Sequence, residues 1–150
     1  MPSAVKILIW SPLLIGLTTT LGTIIIHGLM LGTVIRLVRR DFERGRAGVG
    51  FFNDMVIVTG VTLTALVGHL VEIGLWAGAL VQCGEFANFG AAFYHSAVNY
   101  TTLGYGDVVM SPSWRMLGPI EAADGMLMFG VSTAMIFAVI QRLLLQRFGP

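Results

Sequence analysis

Charge is scarce in this chain. Asp, Glu, Lys and Arg make up 11% of its 150 residues, against about 25% in soluble domains. Hydrophobic residues make up 55%, and the mean hydropathy is +0.82. Such a composition cannot cover a soluble surface and indicates one integral membrane domain. Cysteine is nearly absent. Cys83 stands alone, which excludes an intrachain disulfide and a thiolate metal cluster. It is either a small buried thiol or one half of an intersubunit bridge on the outer face. The nine Lys and Arg residues gather at the ends of apolar runs and form no basic patch, which argues against a nucleic-acid partner. No nucleophile with a base, no phosphate loop and no metal-ligand cluster of recognised spacing is visible, so neither an enzyme nor a bound cofactor is expected. There is no internal repeat. No soluble regulatory domain is expected.

Long uncharged runs are what the chain has instead. Ile7 to Ile35, 29 residues, contains no Asp, Glu, Lys or Arg. About 20 residues suffice to cross the hydrocarbon core. Ser11-Pro12 reads as the start of this helix, with Ser11 as N-cap. A second span runs from Asp54 to Val81, interrupted only by Glu72. A third covers Trp114 to Leu145, with an uncharged heart from Gly125 to Gln141. Arg36, Arg39, Arg40, Arg44, Arg46, Arg142 and Arg147 fall on one side of these spans, Lys6 and Arg115 on the other. The positive-inside rule then places the 39–54 loop and the C-terminus in the cytoplasm and the N-terminus outside. Residues 1–30 are not read as a cleavable signal, because no small-residue cleavage site is clear. The first span lacks arginines at every third position, so it is not a voltage sensor.

Phe86 to Gly106 is also uncharged but ends in a glycine-rich turn. Its first half, Phe86 to Thr101, is some four helical turns, too short to cross. A short helix followed by irregular backbone at membrane depth survives only inside protein or beside a water-filled path. The turn reads Thr102-Leu103-Gly104-Tyr105-Gly106-Asp107. Glycines at alternate positions suit a backbone whose carbonyls all face one axis. No strand precedes the turn and no third glycine follows at the spacing a dinucleotide fingerprint needs. The C-terminal end of the short helix carries partial negative charge that favours a cation in front of it.

Residues 54–146 resemble the pore domain of potassium channels, whose TVGYG loops present backbone carbonyls to a dehydrated ion. The resemblance rests on Tyr94-His95, Thr101-Thr102, Leu103-Gly104-Tyr105-Gly106, Asp107, Trp114, Gly125 and Gly130. The whole is similar to a small prokaryotic potassium channel with an extra N-terminal transmembrane helix and Arg-rich loop in 1–46. The resemblance implies an all-α membrane fold of three transmembrane helices plus a re-entrant pore helix and filter loop. It implies a homotetramer, set in membrane lipid in a bacterial inner membrane. It implies that Thr102, Leu103, Gly104 and Tyr105 ligate permeant potassium, with Gly106 completing the filter, and that Tyr105 favours potassium over sodium. Two alternatives remain: a weakly selective or nonselective channel of the same fold, and a non-conducting membrane regulatory subunit.

The chain departs from the family pattern. Tyr94-His95 replace a frequent tryptophan pair that braces the filter. Val98 stands where some members have a Glu that pairs with the residue equivalent to Asp107, which then needs another partner, Tyr94 or a water. Glu121 and Asp124, three apart, lie in the third span, where carboxylates are costly. Glu121 is expected to bond to the back of the pore helix. Asp124 either does the same or faces the cavity. Gly125 and Gly130 are candidates for hinging or close packing, and Ser132 and Thr133 for cavity lining. His69 and Glu72 form either a satisfied buried pair or a proton-sensing gate, with His27 as the one obvious third ligand if they held zinc.

Overall fold

The computed structural model describes residues 9–149, so Lys6 and the Ile7 end of the first span lie outside it. Helix α1 covers Trp10–Glu43, α2 Phe51–Gln82, α3 Phe89–Tyr100 and α4 Leu117–Phe148. No strand occurs among the described residues. The three long helices are apolar and long enough to cross a membrane. At 1.5 Å per residue, the 34 residues of α1 reach ~51 Å, well past a ~30 Å hydrocarbon core. The 12 residues of α3 reach only ~18 Å.

Helix boundaries differ from the sequence reading by a few residues: α2 starts at Phe51 rather than Asp54, and α4 runs Leu117–Phe148 rather than Trp114–Leu145. Helix α1 begins one residue before Ser11, and Ile9 is its N-cap without any side-chain bond. Ile9 is already in the helical region of backbone space, so Ser11 sits inside the first turn. The same helix continues through Arg36, Arg39 and Arg40, which shortens the expected 39–54 loop to residues 44–50. Arginine is a good helix former, and Arg39 donates to Glu43 at 2.7 Å across one turn. The short helix starts at Phe89 rather than Phe86, because the Asn88 side chain caps it by accepting from the Ala91 amide at 2.8 Å.

Helices α2 and α4 form the centre. Both α1 and α3 pack on them, and α1 and α3 do not pack on each other. Small residues let α1 approach closely. A Cβ on Gly16 would lie 2.9 Å from Ile120, and one on Gly22 would lie 2.7 Å from Leu75. Two apolar clusters result. One joins Met30, Val34, Val38, Ile57, Val61, Val139 and Leu143. The other joins Ile73, Trp76, Leu80, Ala92, Tyr100, Leu117 and Met128. Between them lies a buried polar band of Thr23, His27, His69, Glu72, Asp124 and Ser132. The outer faces carry exposed Leu14, Leu17, Leu63, Leu66, Leu127 and Phe137, as spans facing lipid do.

Candidate functional site

The turn after α3 is built on the helix's own C-terminal carbonyls. The amides of Leu103 and Gly104 both donate to the Val98 carbonyl, at 2.9 and 3.2 Å, and the Thr102 amide donates to Asn99 at 2.8 Å. In a trans peptide the carbonyl points opposite to its N–H. The carbonyls of Thr102 and Leu103 therefore point away from α3 on a common side. Backbone φ is positive at Thr102 (61°), Gly104 (59°) and Gly106 (72°). In a strand, successive groups alternate between faces. A reversal of φ at every second residue turns successive peptide groups toward one side instead. Gly104 and Gly106 accept positive φ without strain. Thr102 does not, and its conformation was not legible from its residue type. Leu103 and Tyr105 are more than half exposed on the single chain.

The turn is held from behind and from the side. The Tyr94 hydroxyl donates to Asp107 at 2.7 Å, so Asp107 has a side-chain partner although position 98 is valine. His95 donates from Nδ1 to the Val108 carbonyl at 3.0 Å and accepts at Nε2 from the Asn99 amide at 2.8 Å. Both ring nitrogens are thus engaged. Glu85 accepts from the amide and hydroxyl of Ser111, at 2.8 and 2.6 Å, and so ties the segment after the turn to the end of α2. The hydrogen bond from Tyr94 holds the Asp107 carboxyl below its ordinary range. A carboxylate depressed in this way keeps its partner as pH falls through the ordinary value, about 3.9, and releases it only as pH falls further through the lower native value. Carbon NMR of the Asp107 carboxyl is expected to show a midpoint below about 3.9, rising toward that value in Tyr94→Phe.

Several α4 residues are placed differently from the sequence reading. Asp124 does not face a cavity. It is buried on the opposite flank, accepting from Thr23 at 2.8 Å and from the Trp76 indole at 2.8 Å. Ser132 also points inward, 3.1 Å from His69 Nε2 and 3.4 Å from His27 Nε2. The physical reason is α1. It supplies Thr23 and His27, and a polar side chain on α4 that meets them is better satisfied there than elsewhere. Thr133, one residue on, is exposed. Gly125 packs against the end of α3, where a Cβ would lie 1.9 Å from the Tyr100 carbonyl oxygen. Gly130 has open space around it. Glu121 is fully buried beside Ser96 and Asn99, but neither carboxylate oxygen has a hydrogen-bond partner among the described residues.

Glu72 anchors the polar band. It accepts from Tyr100 at 2.5 Å, and its two oxygens lie 2.9 Å from His27 Nδ1 and 3.0 Å from His69 Nδ1. The pair His69–Glu72 is legible as residues three apart on one helix. His27 is brought in from 45 residues away by the α1–α2 packing. Tyr100 joins because α3 ends beside α2.

Three membrane-length helices and a short fourth ending in a turn with same-sided carbonyls define a multi-pass membrane protein with a re-entrant loop. The chain belongs to the ion channel family: that family's model matches residues 54–142, more than half of its 150 residues. Comparison with curated proteins and with solved structures gives no significant match. The matched region takes in most of α2, all of α3, the turn and most of α4. It leaves α1 out.

Proposed function

We propose that the protein is a potassium-selective channel, a homotetramer whose pore is lined by the backbone carbonyls of residues 102–105. The carrying observation is the turn itself, with two consecutive amides folded back on Val98 and positive φ at residues 102, 104 and 106. Carbonyl rings of this kind replace an ion's hydration shell. One chain supplies one strand of such a ring. The exposure of Leu103 and Tyr105 on the single chain is what a strand awaiting three neighbours presents. The end of α3 directs partial negative charge toward the same axis. Cytoplasmic Arg36–Arg46 and an outward-facing turn complete the reading, in a bacterial inner membrane.

Rubidium uptake into liposomes holding the purified protein tests it. Uptake that barium stops, with little sodium uptake, is the expected result. Equal uptake of both ions would keep the fold and replace the reading with a nonselective channel. No uptake of either ion would favour a non-conducting regulatory subunit.

A further inference from the structure

The buried centre of the polar band has the chemistry of a metal site. His27, His69 and Glu72 are each at most 5% exposed, and one donor atom from each lies within 4.8 Å of the others. Two imidazole nitrogens and a carboxylate oxygen suit a divalent metal of the zinc class, and three protein donors leave one position for a further ligand.

A second observation comes from counting hydrogens. Each histidine turns Nδ1 toward Glu72, at 2.9 and 3.0 Å. Each turns Nε2 toward the same oxygen, Ser132 Oγ, at 3.4 and 3.1 Å. If both Nδ1 atoms donate to Glu72, both Nε2 atoms present lone pairs to Ser132. A serine hydroxyl has one hydrogen and can satisfy only one of them. One nitrogen is left facing an oxygen with no hydrogen between them. If both Nδ1 atoms instead ligate a metal, both rings carry their hydrogen on Nε2. Ser132 Oγ then accepts from both, using its two lone pairs, and no imidazole nitrogen is left without a partner. Metal-bound histidines generally donate their second nitrogen to such an acceptor. Tyr100, donating to Glu72 at 2.5 Å, orients the carboxylate in the same manner.

We propose that His27, His69 and Glu72 bind one divalent transition metal per chain, with Ser132 and Tyr100 as positioning residues. His27 belongs to α1, and His69 and Glu72 to α2. The metal therefore clamps the extra N-terminal helix onto the channel unit of residues 54–142, one residue contact away from the helix that carries the turn.

The test is metal binding by the full-length, tag-free protein in detergent, stripped with chelator and titrated with cobalt. Expected are one cobalt per chain, visible absorption of a four-coordinate nitrogen–oxygen site, and displacement by zinc. Ser132→Ala keeps all three ligands and is expected to weaken cobalt binding about tenfold or more. His27→Ala and His69→Ala are expected to abolish it. Size-exclusion profiles matching the wild type show that these variants are folded. Absence of stoichiometric cobalt in the wild type would overturn the proposal and leave an extra proton as the occupant of the cluster. Unchanged affinity in a folded His27→Ala protein would overturn it as well. Neither readout depends on ion conduction, so failure here leaves the channel reading intact.

Discussion

Replacing Gly125 with alanine is expected to destabilise the channel unit by about 3 kcal/mol, the upper part of the range for overpacking. A Cβ at this position would stand 1.9 Å from the Tyr100 carbonyl oxygen and 2.8 Å from its carbonyl carbon. These are backbone atoms at the last residue of α3, so no rotamer change relieves the contact. Helix α4 must move away from α3, and the turn that starts at Thr102 moves with it. Gly130→Ala is the control. Nothing lies within 4 Å of its Cβ position, and alanine is favoured over glycine in a helix by about 1 kcal/mol. Thermal unfolding in detergent is expected to show a large loss for Gly125→Ala and none for Gly130→Ala. Equal tolerance at both positions would show that close packing at Gly125 is not required.

Glu72→Ala is expected to cost about 3–5 kcal/mol, the range for removing one partner from a buried polar network. The carboxylate is fully buried and faces the hydroxyl of Tyr100 and the Nδ1 atoms of His27 and His69. Truncation orphans all three on three different helices. Each buried group left without a partner costs about 1–3 kcal/mol, and the sum is less than additive because they share one acceptor. Glu72→Gln keeps the shape and one acceptor oxygen, and is expected to fall between wild type and alanine. Chemical denaturation of the three proteins orders them. A Gln variant as unstable as Ala would assign the effect to charge rather than to hydrogen bonding.

These two positions also show where sequence reasoning succeeds and where it stops. The spans were legible because hydropathy over about 20 residues is a one-dimensional property. The turn was legible because Gly104 and Gly106 stand at alternate positions in a stretch too short to cross. Glu72 and His69 were legible as a pair because three residues make one helical face. The rotation of α4 was not. Asp124, read as either cavity-facing or bonded to the back of the pore helix, turns instead to Thr23 and Trp76. That orientation depends on where α1 packs, and α1 lies outside the matched channel region. His27 and Ser132 enter the polar band for the same reason. Helix–helix register comes from small residues such as Gly16 and Gly22, and their spacing alone does not say which partner they meet. Thr102 marks a different limit. Its positive φ is imposed by amides that must fold back on Val98, a constraint invisible in a residue that ordinarily avoids it.

The claim that the turn at 102–106 selects potassium is tested most directly by a bi-ionic reversal potential. The purified protein is placed in a planar bilayer with potassium on one side and sodium on the other. A reversal potential far toward the potassium equilibrium value, abolished together with the current by barium, is the predicted result. A reversal potential near zero in a conducting channel would contradict it.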